Sequence, residues 1–86
     1  MPVYLVERDF AEELDFDDEK IEQINDITNE LGVEWLTSFL SSDGKKTYCL
    51  YEATDPESLR NHSKVVGIPA NKIVEVSRFW PLPDKS

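Results

Sequence analysis

Residues Val33 to Ala53, VEWLTSFLSSDGKKTYCLYEA, decide the fold of this chain. Two runs rich in β-branched and aromatic residues flank an Asp43-Gly44 pair, and this pattern predicts a β-hairpin. Pairing outward from that turn puts three cross-strand pairs on one face: Phe39 with Tyr48, Thr37 with Leu50, and Trp35 with Glu52. The other face then holds Leu36, Ser38, Leu40, Thr47, Cys49, Tyr51 and Ala53. Because both faces are largely apolar, each of them needs a cover.

The segment before the hairpin predicts one strand and one helix. Residues 2–8 (PVYLVER) alternate with a period of two, which indicates a first strand with Glu7 at its charged end. Residues 18–31 carry isoleucine or leucine at helical spacing, and Gly32 follows where a helix would end in a left-handed turn. The acidic residues between these elements are typical of a solvated loop that leads into a helix N-terminus.

A second helix and a last strand are predicted after the hairpin. The segment TDPE at residues 54–57 starts the helix in one of two ways, with either Thr54 or Asp55 as the N-cap. The helix runs to about Val66. Residues 72–80 (KIVEVSRFW) then alternate as a final strand, which the following prolines stop.

The order strand, helix, strand, strand, helix, strand predicts a single ferredoxin-like α+β domain over residues 1–86. Its four-stranded antiparallel sheet would have the first and third strands in the centre and both helices on one face. The opposite face would hold four large apolar side chains, Trp35, Phe39, Tyr48 and Leu50, which is too much apolar area for a monomer to leave in water. We therefore expect a homodimer in which two sheets pack face to face as a dimeric α+β barrel.

Composition limits the partners of the chain. Its 86 residues include 18 acidic and 9 basic ones, for a net charge of −9. This charge repels nucleic-acid phosphates and anionic lipids, so we expect neither nucleic acid nor membrane as a partner. No apolar run approaches the ~20 residues of a membrane span, and no signal-peptide pattern begins the chain. A single cysteine, Cys49, fits a reducing compartment, and we expect a cytoplasmic protein.

Five short motifs make the chain resemble a known family. They are VERD at 6–9, W-x-x-S-[FY] at 35–39, YCLYEA at 48–53, L-R-x-H at 59–62 and G-x-P-A-N-x-[IV]-x-E-V at 67–76. Together they resemble the nickel-binding-protein-like family, a group of small bacterial proteins of largely unknown function. The resemblance covers residues 3–76. It implies a ferredoxin-like fold that dimerises into a barrel and, for some members, a divalent nickel site.

One position departs from the pattern of that family. Its members carry a histidine between the tryptophan and the serine of the second strand, as Trp-x-His-Ser, whereas this chain has Thr37 there. Imidazole suits nickel and a threonine hydroxyl is a poor ligand. We therefore expect nickel to bind weakly, or only through His62 together with Glu7 and Glu52 brought together by the dimer.

The remaining candidates for chemistry are few. His62 is the only histidine, and its helical spacing from Leu59 directs it toward the sheet, which favours a packed core residue over a metal ligand. Glu7 and Glu52 are candidate carboxylates of the barrel interior, each of them a base, a ligand or a partner of Arg8 or Arg78. Cys49 is predicted on the helix side of the sheet, where inert burial is the expected state.

Three classes of function remain open. The first, from the resemblance, is a metal-binding or metal-responsive protein. The second is a module that binds a small organic ligand in the barrel interior, lined by Glu7, Trp35, Thr37, Phe39, Tyr48 and Glu52. The third is a small cofactor-free enzyme with Glu52 or Glu7 as its base. The sequence contains no nucleophile-base pair, phosphate-binding loop or Cys/His metal spacing, and we expect a binding protein more than an enzyme.

Overall fold

The computed structural model describes residues 1–77 and confirms the ferredoxin-like architecture. Its elements, in chain order, are β1 Val3–Asp9, α1 Asp18–Glu30, β2 Glu34–Leu40, β3 Lys46–Glu52, α2 Pro56–Val66 and β4 Lys72–Val76. The four strands form one sheet in the order β2-β3-β1-β4, and every neighbouring pair is antiparallel. As predicted, the first and third strands are central. The last three residues of the predicted final strand, 78–80, and the prolines after them lie outside the described range.

The hairpin register agrees with the prediction near the turn and departs from it farther out. Phe39 pairs with Tyr48 and Thr37 with Leu50, as expected. A β-bulge between Trp35 and Thr37 then shifts the register by one residue, so that Trp35 faces Tyr51. The predicted pairing of Trp35 with Glu52 is therefore wrong. Since side chains alternate along a strand, this shift moves Trp35 to the helix side of the sheet.

An aspartate is the N-cap of each helix, Asp17 for α1 and Asp55 for α2. The Asp17 carboxylate accepts a hydrogen bond from the Lys20 amide at 2.8 Å, and Asp55 does the same for the Ser58 amide at 2.8 Å. Asp55, followed by a proline at the first turn, is thus the N-cap of α2, in preference to Thr54. No helix within residues 1–77 has the length and hydrophobicity needed to span a bilayer.

The core lies between the sheet and the two helices. Alternate residues of β1 and β3 point toward the helices and are buried, and the buried hydrophobic cluster comprises Tyr4, Val6, Val33, Cys49, Tyr51, Ala53 and Leu59. Cys49 is 4% exposed, so its predicted burial on the helix side is confirmed. Leu59 of α2 is completely buried and connects this helix to the sheet.

The opposite side of the sheet, which we call the open face, has no cover within residues 1–77. It consists of the alternate residues that point away from the helices, and its apolar members are Val3, Leu5, Phe39, Tyr48, Leu50, Val74 and Val76. The Phe39 side chain is 59% exposed and Val74 37%. Three of the four residues expected there are present, and Trp35 is the exception.

Candidate functional site

A cavity of about 270 Å³ lies on the helix side of the sheet, next to α1. The sheet contributes Arg8, Cys49 and Tyr51 to its lining, while α1 contributes Ile21 and Ile24. Its walls are mainly apolar and aromatic. Ligand sites in proteins have this character, with a few polar groups among hydrophobic side chains, and their volumes usually start at about 300 Å³. At about 270 Å³ this cavity lies just below that range, and it has room for a small organic molecule only.

The loop between β1 and α1 completes one wall of the cavity. Two backbone hydrogen bonds hold this loop on the hairpin turn, from the Phe10 amide to the Lys45 carbonyl at 2.8 Å and from the Leu14 amide to the Gly44 carbonyl at 2.7 Å. Gly44 adopts a φ of +76°, a left-handed conformation that glycine takes without strain. Phe10 contacts Phe16 edge to face, with ring centroids 6.4 Å apart. The acidic loop thus carries apolar residues that face inward.

Trp35 borders the cavity because of the bulge in β2. Its ring stacks on Tyr51, with centroids 6.4 Å apart and an interplanar angle of 29°. The indole Nε1 donates a hydrogen bond to Ser38 Oγ at 2.7 Å. These contacts fix the orientation of the tryptophan on the helix side, away from the barrel interior in which the sequence placed it.

Arg8 is the most unusual residue of the cavity lining. Only 1% of it is exposed, although it carries a permanent positive charge. Its Nη1 donates to Ser63 Oγ at 2.8 Å and to the Pro69 carbonyl at 2.6 Å, and its Nη2 donates to the Tyr51 hydroxyl at 3.0 Å. Its Nε is buried and has no hydrogen-bond partner within residues 1–77. No carboxylate within residues 1–77 forms a salt bridge with this guanidinium.

Two titratable side chains near Arg8, Tyr51 and His62, are neutral at physiological pH. Burial raises the pKa of Tyr51 to about 12, although the positive charge of Arg8 acts in the opposite direction, so the phenol keeps its proton. Burial lowers the pKa of His62 to about 4, and Arg8 contributes to that shift, so the imidazole is uncharged. Neither group therefore balances the charge of the guanidinium.

His62 is fully buried between α2, α1 and the sheet, the position that its helical spacing indicates. Thr28 Oγ1 donates to the Ile24 carbonyl at 2.7 Å, so it accepts a hydrogen bond from His62 Nε2, also at 2.7 Å. The imidazole contacts the Tyr51 ring edge-on, with centroids 5.3 Å apart, and none of the described residues forms a hydrogen bond with Nδ1. These contacts are those of a packed core histidine.

The three proposed metal ligands do not meet within one chain. Glu7 and Glu52 lie on the open face, whereas His62 lies beneath the other face of the sheet. Glu7 pairs with Lys46 at 3.8 Å, instead of with Arg8, and Glu52 faces Val3 and Glu34 across the sheet. Within the described range, no group of three histidine, cysteine, aspartate or glutamate side chains could hold a metal ion. The donor set therefore does not fit a nickel site.

The other predicted ligand-binding residues divide between the two faces. Thr37 and Tyr48 lie on the open face, where a barrel interior would need a second copy of the chain. Phe39 also belongs to the open face, yet it reaches the rim of the cavity, as does Trp35 from the helix side.

Arg8 was missed as a site residue by the sequence reasoning. The signal was present, because the period-two alternation of β1 places Arg8 on the same face as Tyr4 and Val6, both of which are buried. A charged residue at the end of a strand is usually solvated, so the alternation by itself does not single out Arg8 as a site residue.

Comparisons with known proteins agree with this architecture. The crystal structure of SCO4226 from Streptomyces coelicolor A3(2) superposes on this structure with a TM-score of 0.68. The two sequences are 16% identical, and the superposition covers 95% of this chain and 99% of that one. At this identity the likeness establishes the fold alone. A search of curated protein sequences finds no match. The family model of nickel responsive proteins similar to SCO4226 matches residues 4–76, and the chain therefore belongs to the SCO4226-like family of nickel responsive proteins.

Proposed function

We propose that this protein binds a small organic molecule in the cavity on the helix side of its sheet. The observation that supports the proposal is the combination of about 270 Å³ of space, apolar and aromatic walls, and a few polar groups. This position differs from the barrel interior that the sequence suggested. The proposal needs no catalytic residue, and we assign no reaction to the site.

A titration followed by NMR tests this proposal. Indole, a neutral and compact aromatic molecule, is added to ¹⁵N-labelled protein, and we expect shifts at the amides of Ile24, Cys49 and Tyr51. Ile21, which is 40% exposed and lines the cavity, offers a blocking variant, since Ile21→Trp would fill the space. The matched control is Val65→Trp, at a 54% exposed position of α2 that is not among the lining residues. Equal binding to both variants would contradict the proposed site.

We further propose that two copies associate through the open face as a homodimer. The support is the apolar surface of that face, including a Phe39 side chain that is 59% exposed. Sedimentation at micromolar concentration should give a species of twice the 9.9 kDa chain mass. Phe39→Glu should shift it to the monomer, while Val65→Glu should not. A wild-type monomer at this concentration would refute the dimer.

Nickel is the second candidate ligand, and membership of a nickel responsive family is its support. The donor set of residues 1–77 argues for weak binding, because the only imidazole is buried and engaged with Thr28. We propose that nickel binds weakly to surface carboxylates such as Glu7 and Asp9, in competition with Lys46, which lies 3.8 Å and 3.3 Å from them. Calorimetric titration at neutral pH decides this, since tight stoichiometric binding would contradict it.

The cytoplasm remains the proposed compartment. Its support is the single cysteine, which is free and buried. Fractionation of cells that produce the protein would test this assignment, and recovery outside the cytoplasm would contradict it.

A further inference from the structure

We propose that the cavity selects small organic anions, and specifically apolar monocarboxylates, through the guanidinium of Arg8. This inference rests on the proposed ligand-binding function and names the chemical class of the ligand. The cavity walls would hold the apolar body, and Arg8 would hold the carboxylate.

The hydrogen-bond inventory of Arg8 leaves donors for such a ligand. A guanidinium has five N–H groups, and three of those in Arg8 have acceptors: Ser63 Oγ, the Pro69 carbonyl and the Tyr51 hydroxyl. Within residues 1–77 Nε has no acceptor, and Nη2 makes only one of its two possible bonds. Because Arg8 is only 1% exposed, a carboxylate would reach these groups only when the side chains around the guanidinium move apart. Carboxylates bind guanidinium in a bidentate manner through two N–H groups, and such charge-assisted bonds are about twice as strong as neutral ones.

The charge around Arg8 also favours an anionic ligand. A buried charge without a counter-ion carries a large desolvation penalty, so buried arginines usually pair with a carboxylate. The partners of Arg8 are a hydroxyl, a carbonyl and a phenol whose pKa of about 12 keeps it neutral. The three salt bridges within residues 1–77 all belong to other basic residues, Lys46 and Arg60. A bound carboxylate would therefore supply the missing negative charge.

The rest of the molecule restricts the class of anion. The net charge of −9 disfavours polyanions such as nucleic acids and highly charged phosphate esters. The apolar walls include Phe10, Phe16 and Ile24. They would remove water from a polar ligand and offer no hydrogen bonds in place of those that the ligand made to water. A single carboxylate on an apolar body of small size satisfies both restrictions.

Arg8 also has a structural role, since its three bonds connect β1 to α2, to the loop after α2 and to β3. A purely structural arginine would give the cavity no preference for charge. The preference for a carboxylate over a neutral analogue of the same shape is therefore the readout that separates the two roles.

The experiment compares phenylacetate with phenylacetamide, which has the same shape and no charge, by NMR titration of the wild-type protein. We expect phenylacetate to bind at least about tenfold more tightly, with shifts at cavity amides such as Cys49. In Arg8→Met this preference should disappear. Arg60→Met, which removes an exposed arginine of α2, is the matched control and should retain it. Circular dichroism establishes that each variant is folded.

The outcomes separate the inference from the function on which it rests. Equal binding of the two compounds would overturn the anion preference and leave the ligand-binding function standing. A preference that persists in folded Arg8→Met would overturn the role of Arg8. If neither compound binds and indole also fails, both proposals are wrong. If Arg8→Met does not fold, Arg8→Lys replaces it, since lysine keeps the charge but loses the planar fork. An unchanged preference in Arg8→Lys would then count against the bidentate contact.

Discussion

Acidification should destabilise this protein through His62. Burial, with a contribution from Arg8, lowers the pKa of this imidazole from 6.5 to about 4 in the folded state. The unfolded chain, with the ordinary value, binds the proton more readily. Above pH 6.5 the imidazole is neutral in both states, and the free energy of unfolding keeps its full value. As the pH falls from 6.5 toward 4 that free energy decreases, because the unfolded chain takes up the proton and the folded protein does not. Each pH unit in this window costs about 1.4 kcal/mol, so the loss is about 2 kcal/mol at pH 5 and about 3 kcal/mol at pH 4.

A matched variant separates the effect of His62 titration on stability from the effect of the many carboxylates. His62→Gln keeps a side-chain donor for Thr28 Oγ1 and removes the titration. Urea unfolding, followed by circular dichroism at one protein concentration, gives the free energy of unfolding of both proteins at pH 7.5, 6.5, 5.5 and 5.0. The carboxylates titrate alike in both, so the difference between the proteins isolates His62. We expect this difference to change by about 2 kcal/mol in favour of the variant between pH 7.5 and pH 5. A constant difference would show that His62 is not a buried neutral group.

Three further predictions concern packing, capping and metal. Leu59→Ala should lower the free energy of unfolding by about 2–5 kcal/mol, because Leu59 is completely buried and the smaller side chain leaves a cavity. Urea unfolding measures this free energy, and a smaller decrease would contradict the central position of Leu59 in the core. Asp55→Ala should lower the melting temperature more than Thr54→Ala does, since Asp55 accepts the Ser58 amide; equal effects in thermal unfolding would refute this cap assignment. Thr37→His should strengthen nickel binding in calorimetric titration, because it places an imidazole on the open face. Thr54→His is the control and should not strengthen it. No gain in Thr37→His would mean that position 37 does not contribute a ligand.

Most of the fold could be predicted because the local signals agree with one another. The Asp43-Gly44 turn, the alternation in β1 and β3 and the helical spacing of α1 all indicate the same order of elements. That order leads directly to the ferredoxin-like topology, since sequential antiparallel strands and helices of this length have few ways to pack. The burial of Cys49 and His62 followed from the same periodicities.

The pocket was harder to predict because its position depends on a single irregularity. The bulge in β2 moves Trp35 to the helix side, and one residue of register reverses the face on which a side chain lies. Both faces of this hairpin are apolar, so the hydrophobic pattern favours neither register. The predicted group of Trp35 with Glu52 therefore failed, while Phe39 with Tyr48, closer to the turn, was placed correctly.

The sequence by itself determined the elements, their order and the excess of apolar surface, since these depend on local periodicity and turn chemistry. The tertiary structure alone decided the contents of the site. Arg8 is joined there by Tyr51, Ser63 and Pro69, from positions 43 to 61 residues away along the chain. Local patterns describe which face a residue occupies, but whether a charge finds a counter-ion depends on long-range packing. That the Arg8 guanidinium is buried and forms no salt bridge within residues 1–77 becomes visible only when β1, β3 and α2 are brought together.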